Sequence, residues 1–235
     1  MKRLIGVFLA ILVLSGCWEQ GSEFLKGSSS RTPQVIEKLS PRDLLEWQLV
    51  GKGEAKEDIQ ENALVLTEGA GSKGITLVST RSYGRNVIVT FDVKPLSYEG
   101  VNFVFISASD RITGGELKVP DDYNGNMVYW TDGMVQNYIF AFQNGFDESK
   151  PFIKKNPGLM DIALAKDLIE GKGSYKVEIG RKGQKLWLKV DGKTVATGVD
   201  KWSGGLPDGK IGFRLRGPGA GSYTCLFKNV VIREN

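Results

Sequence analysis

Histidine is absent from all 235 residues. That removes imidazole metal ligands, Ser-His-Asp and Cys-His nucleophiles, and histidine general bases together. Any chemistry has to come from carboxylates, tyrosine, lysine or arginine. Cysteine is nearly as scarce, with only Cys17 and Cys225, so a disulfide framework is excluded. The apolar run at residues 4–14 is too short to cross a bilayer. A dominant charge is missing too: 31 basic against 27 acidic residues leave a formal +4, which falls to about +2 without Lys2 and Arg3. With no basic stripe, nucleic acid is excluded as a partner. No internal repeat or second linker divides the chain, so one large β domain is expected.

Residues 1–15 read as an export signal, with Lys2 and Arg3 as the charged start and residues 4–14 as the apolar run. The run ends in Leu14-Ser15-Gly16-Cys17, which resembles the lipobox of bacterial lipoproteins. The resemblance implies cleavage after residue 16 and lipidation of Cys17. Each buried CH₂ of an acyl chain contributes about 0.8 kcal/mol, so the lipid would hold the domain at a membrane of the cell envelope. Trp18 stands where an aspartate would mark inner-membrane retention, which favours the outer membrane. Residues 17–33, centred on Gly27-Ser28-Ser29-Ser30, lack the apolar surface to order themselves and read as a tether. Residues 34–235 then form the folded domain. With Cys17 lipidated, Cys225 has no partner in the chain and is expected to be reduced and buried.

Strand signals dominate that domain. Residues 62–67, 75–79, 85–95, 101–108, 127–131, 137–143 and 174–180 are short, β-branched or aromatic, and separated by Gly, Asn and Asp turns. In the carboxyl third, residues 184–190 and 194–198 alternate about Asp191-Gly192-Lys193, a pair that supplies the positive φ of a tight hairpin. Residues 209–216 and 225–233 add two more strands. Residues 34–45 are expected as a loop or one helical turn, and residues 159–170 carry the one clear helical periodicity. The class is all-β, a two-sheet antiparallel jelly-roll sandwich with at most short helices.

The order of several stretches carries a resemblance: Trp47 to Gly51, residues 62–66, residues 89–95 (VTFDVKP), residues 188–193 (LKVDGK), residues 209–214 (GKIGFR) and residues 227–232 (FKNVVI). Together they resemble the concanavalin A-like lectin/glucanase superfamily over nearly all of residues 47–232. Within it the chain is most similar to exported keto-disaccharide-hydrolase-like domains, or to an uncharacterised sister family associated with polysaccharide breakdown. Gln136-Asn137-Tyr138 and Lys155-Asn156-Pro157-Gly158 point to the sister family. The resemblance implies two face-to-face sheets and a concave groove for glycans. The Glu-x-Asp-x-x-Glu strand of one glucanase family is absent, as are the Arg/Gln/His signatures of jelly-roll alginate lyases.

Candidate site residues cluster in residues 121–158, where aromatics, amides and carboxylates crowd together. A pyranose offers an apolar face and a rim of hydroxyls, which such groups recognise. Tyr123, Trp130, Asn137, Tyr138, Asn144, Lys155, Asn156 and Arg214 are the candidate binding residues, with Asp132 and Glu116 as candidate catalytic carboxyls. Trp130 is either a sugar platform or a core residue, and alternation leaves the groove face open. Trp187, between Leu186 and Leu188, is expected in the core, and Trp202 on a loop. Lys154, Lys155 and Asn156, with Arg214 and Arg216, could receive an acidic sugar or sulfate; solvated turn and strand charges are the alternative. No cofactor is expected. Asp121, Asp122, Asn124 and Asn126 are spaced as a solvated turn, with a structural calcium site as the alternative. The expected partners are a polysaccharide or oligosaccharide and, through the anchor, a membrane. Three functions follow: a glycan-binding or glycoside hydrolase-like surface lipoprotein, an adhesion module for a protein partner, and a lyase with tyrosine as base.

Overall fold

The computed structural model describes residues 34–96, 100–144, 150–169, 173–202, 204–218 and 223–234. The expected signal, Cys17 and the tether lie outside the described residues. The first five strands are β1 (Gln34–Leu39), β2 (Gln48–Val50), β3 (Gly53–Asp58), β4 (Ala63–Glu68) and β5 (Ile75–Val78). The long central pair is β6 (Asn86–Pro95) and β7 (Val101–Asp110), followed by β8 (Val135–Asn144), β9 (Phe152–Asn156) and β10 (Met160–Leu164). The last five are β11 (Tyr175–Lys182), β12 (Lys185–Val190), β13 (Lys193–Val199), β14 (Lys210–Arg216) and β15 (Thr224–Glu234). Two short helices, α1 (Pro41–Leu45) and α2 (Val128–Thr131), interrupt them.

All pairings are antiparallel and build two sheets. One runs β13-β12-β11-β6-β15-β4-β3, with β1 pairing to β15 as its eighth strand, and the other runs β10-β9-β8-β7-β14-β5-β2. Alternation along each strand decides what lies between them. Val87, Val89, Phe91 and Val93 of β6 face Val104 and Ile106 of β7, Tyr138, Phe140 and Phe142 of β8, and Ile211, Phe213 and Leu215 of β14 across one buried core. Its centre is aromatic: the Phe91 ring lies 5.0 Å from Phe213 and 6.0 Å from Phe142, and Trp47 stacks on Phe213 at 5.7 Å. Burying each such side chain stabilises the fold by about 1.5–3 kcal/mol.

Four expectations change. Residues 34–39 form β1 rather than a loop, and Ser40 and Asp43 close a reciprocal capping box that starts α1 behind Pro41. The expected strand at residues 127–131 is instead the helix α2, which buries Trp130 and Thr131. The helical pattern at residues 159–170 gives β10, since the turn after Asn156 folds it back onto β9 with Met160 opposite Lys155. Edge pairing there overrides local periodicity. Trp187 does not enter the core: Leu186 and Leu188 do, so alternation turns Trp187 outward. Cys225 is buried, pairs with no other cysteine and donates to the Asn102 side-chain oxygen at 3.3 Å. Burial pushes its thiol up to about 12, against the opposing hydrogen bonds with Tyr223 and Asn102.

Candidate functional site

The stretch expected to hold the site packs on the outer face of the seven-stranded sheet. Register sets Phe152, Ala141, Phe103, Arg214, Thr76 and Val50 side by side across that face. The next rank is Lys154, Ile139, Phe105, Gly212 and Val78. The β7–β8 connection folds down on the second rank. Trp130 stacks on Phe105 with centroids 4.6 Å apart and planes 14° apart, and Tyr123 and Tyr129 meet its edge at 6.3 and 5.3 Å. Leu117, Val119 and Met127 complete this second apolar cluster. Trp130 is 0% exposed, so of the two readings of this residue the structure takes the core one.

Polar groups pin the connection in place. Arg214 reaches out from β14 and donates to the Tyr123 hydroxyl at 3.2 Å, the Gly125 carbonyl at 2.7 Å and the Lys73 carbonyl at 2.8 Å. Gly74 lies against the guanidinium at φ +117, where an added Cβ would fall 2.4 Å from Nη2. Burial lowers the Arg214 pKa and raises that of Tyr123. Asn137 donates to the Trp130 carbonyl at 2.7 Å, Asn156 donates to the Asn137 side-chain oxygen at 2.9 Å, and the Gly158 N–H meets the Thr131 carbonyl at 2.7 Å. Tyr123, Trp130, Asn137, Asn156 and Arg214 are therefore brought together as expected, but as a clamp under the connection. The last four are buried and cannot touch a ligand from these positions.

Tyr138 and Lys155 point the other way, into the end of the core. Tyr138 donates to the Asp200 carboxylate at 2.6 Å, Lys155 Nζ pairs with the same oxygen at 2.9 Å, and the Leu206 N–H donates to the Tyr138 hydroxyl at 3.0 Å. Arg181 lies 4.9 Å over the Tyr138 ring and donates to the carbonyls of Gly183, Leu206 and Pro207. Burial raises the Tyr138 pKa, and its bond to Asp200 adds to that; burial lowers the Arg181 pKa. This network fastens the β13–β14 connection, from which Trp202 emerges 50% exposed as expected. Neither Asp200 nor Arg181 stands out in the sequence, because the Tyr138 contact to Asp200 joins residues 62 apart.

The candidate carboxyls fare differently from the clamp. Asp132 is exposed at the end of α2, and Glu116 is exposed with Lys210 Nζ at 3.3 Å. Neither lies in a closed site that could exclude water from a scissile bond. The side chain of Asn144 lies outside the described residues. Asn124 accepts from the Asn126 N–H and Asn126 from the Val128 N–H, so both amides serve turns. Burial raises the pKa of Tyr123 and Tyr138 and pushes that of Tyr129 up to about 12.

Arg214, Thr76 and Val50 of the first rank are buried, so what the connection leaves open is its other end, at Phe103 and Phe152. Phe103 and Phe152 are partly exposed rings 6.3 Å apart, flanking the small, buried Ala141 between them. Lys154 lies on the same face with Nζ 5.3 Å from the Phe152 centroid and 2.8 Å from Asp161. Phe103 and Phe152 were missed in the sequence; their alternation with the buried Val104 and Ile153 is the signal that marks them as outward.

The protein of unknown function from Bacillus subtilis with a galectin-like fold superposes with a TM-score of 0.72 at 17% identity, over 86% of this chain and 98% of that one. The fold is a galectin-like sandwich. A carbohydrate-binding module from Bacillus subtilis matches this chain at TM-score 0.54 and 14% identity, over 80% of it and 95% of the module. A Bacillus licheniformis β-glucanase matches at 0.52 and 13%, over 80% and 92%. No family model matches the chain, and no curated protein does. At these identities the galectin-like neighbours establish the sandwich that the concanavalin A-like resemblance implied.

Proposed function

We propose that the chain is a carbohydrate-binding lipoprotein of the bacterial envelope, taking a glycan at the Phe103–Phe152 end of the first rank of the seven-stranded sheet. The observation that carries this reading is the pair of partly exposed rings, Phe103 on β7 and Phe152 on β9, set on the two strands that flank Ala141 of β8. Rings held by strand backbone present apolar area to a pyranose face without ordering a loop first. The galectin-like fold, shared with a carbohydrate-binding module and a β-glucanase, supports the reading. Binding is favoured over cleavage because the described residues of that rank include no carboxylate, and glycoside hydrolysis needs two flanking the bond. The keto-disaccharide-hydrolase-like kinship, or its sister family, belongs to the same proposal.

Affinity gels loaded with plant, algal and host polysaccharides test it. The wild-type chain should be retained by at least one without releasing sugars, and Phe152→Ala should weaken retention about tenfold, equivalent to about 1.4 kcal/mol, at an unchanged melting temperature. No retention on any gel refutes the reading, and released oligosaccharides turn it into an enzyme. The anchor is checked separately: Cys17→Ser should move the protein to the soluble fraction or leave it unprocessed, and unchanged membrane fractionation with normal processing counts against lipidation.

A further inference from the structure

The opposite face of the sandwich, the outer face of the eight-stranded sheet, carries a built aromatic platform. Trp187 projects from β12 directly beside Gly180 of β11. The indole lies over that glycine: an added Cβ would fall 2.0 Å from Cε2 and Cζ2, and Gly180 is buried beneath the ring. A glycine there lets the six-membered ring rest on backbone while Trp187 itself stays partly exposed. The ring is also fixed in azimuth. Its Nε1 donates to Glu178 at 2.8 Å, and Lys189 Nζ holds the same Glu178 oxygen at 2.8 Å. Burial favours the neutral carboxyl, but the Lys189 and Trp187 hydrogen bonds outweigh it and hold the Glu178 pKa below the usual value.

A core tryptophan needs none of this, and an incidental surface tryptophan would not be held both by a glycine beneath its ring and by a hydrogen bond at its edge. The charge around it is unbalanced. Glu178 is matched by Lys189, whereas Lys182 and Lys185, exposed in the neighbouring rank of the same face, make no ion pair among the described residues. Arg233, along the rank of Trp187 and Gly180 beyond Ile88, donates to the neutral Thr90 hydroxyl at 3.4 Å. Arg233 also acts on Glu178, so the uncompensated cations are Lys182 and Lys185, and a flat apolar ring beside them suits a sugar that offers both a C–H face and a negative charge.

We infer that Trp187 and the neighbouring Lys182 and Lys185 form a second glycan-binding surface, selective for an acidic polysaccharide of the uronate class. It does not rest on the Phe103–Phe152 reading, because the two surfaces lie on opposite faces of the sandwich.

The test is retention of the full chain on gels containing polygalacturonate or alginate, with neutral dextran and xyloglucan as controls, for wild type, Trp187→Ala, Lys182→Gln/Lys185→Gln and Phe152→Ala. Trp187→Ala should weaken retention on the polyuronates about tenfold at native melting temperature. The lysine pair should weaken it most at low salt, where screening is least, and Phe152→Ala should leave it unchanged. Trp187→Phe, which keeps a ring over Gly180, should recover part of the loss. Polyuronate retention that survives Trp187→Ala, or a wild-type chain that no polyuronate retains, overturns the inference whatever happens on neutral gels. Loss with Phe152→Ala but not Trp187→Ala overturns it while leaving the first face in possession of the glycan.

Discussion

Trp130→Ala is expected to remove about 3–5 kcal/mol of folding stability, the range for deleting a large buried aromatic. The indole stacks on Phe105 at 4.6 Å, is met edge-on by Tyr123 and Tyr129, and donates to the Tyr123 hydroxyl at 2.7 Å. Deleting it opens a cavity and leaves the Tyr123 hydroxyl with the Arg214 contact as its remaining anchor to the sheet, so the loss of packing is compounded by a loosened connection. At about 2–4 °C per kcal/mol for a domain of this size, a thermal melt reads the effect easily. Trp130→Phe should lose much less, since a ring remains over Phe105. A native melt accompanied by lost glycan affinity would restore Trp130 to the role of platform and overturn its placement in the core.

Asp200→Ala should be of similar size, about 3–5 kcal/mol, for an electrostatic reason. Asp200 is 0% exposed and the Lys155 side chain 7% exposed, with Oδ2 shared between the ammonium and the Tyr138 hydroxyl. Removing the anion leaves a cation and a phenol buried without their acceptor, and desolvation is no longer compensated. Asp200→Asn should fall between, because it keeps an oxygen for Tyr138. Combining Asp200→Ala with Lys155→Met should recover a large part of the loss, since a missing pair is tolerated far better than a half pair. Chemical denaturation of the wild type, Asp200→Ala, Lys155→Met and the double variant gives the coupling directly, and strictly additive losses would show that the pair is not coupled.

The strands were legible because their signals are local. Asp191 and Gly192 take φ of 51° and 79°, the positive values the hairpin needed, and Tyr138, Phe140 and Phe142 alternate inward as their spacing indicated. Residues 127–131 and 159–170 were misread because short apolar runs satisfy periods of 2 and 3.6 almost equally. What settles the second is its partner strand, β9. Of the candidate site residues, Tyr123, Trp130, Asn137, Asn156 and Arg214 meet beneath the connection, whereas Tyr138 and Lys155 turn to Asp200 on the other side of the sheet. Whether Trp130 faces a sugar or Phe105 depends on where the connection lands, a contact between elements distant in the chain. Arg214 illustrates the same limit: its charge invited a ligand, yet it is occupied by carbonyls of Lys73 and Gly125. The partly buried rings Phe103 and Phe152 alternate with the buried Val104 and Ile153, a signal that marks them as outward but not as a site.

The central claim, that a glycan lies over the Phe103–Phe152 end of the seven-stranded sheet, is tested most directly by amide chemical-shift mapping during titration with a retained neutral oligosaccharide. The account predicts saturable shifts at Phe103, Ala141, Phe152 and Lys154. Shifts confined to another depression, such as the one of about 390 Å³ lined by Glu61, Asp92, Lys176 and Asp191, with those four amides unmoved, would contradict it.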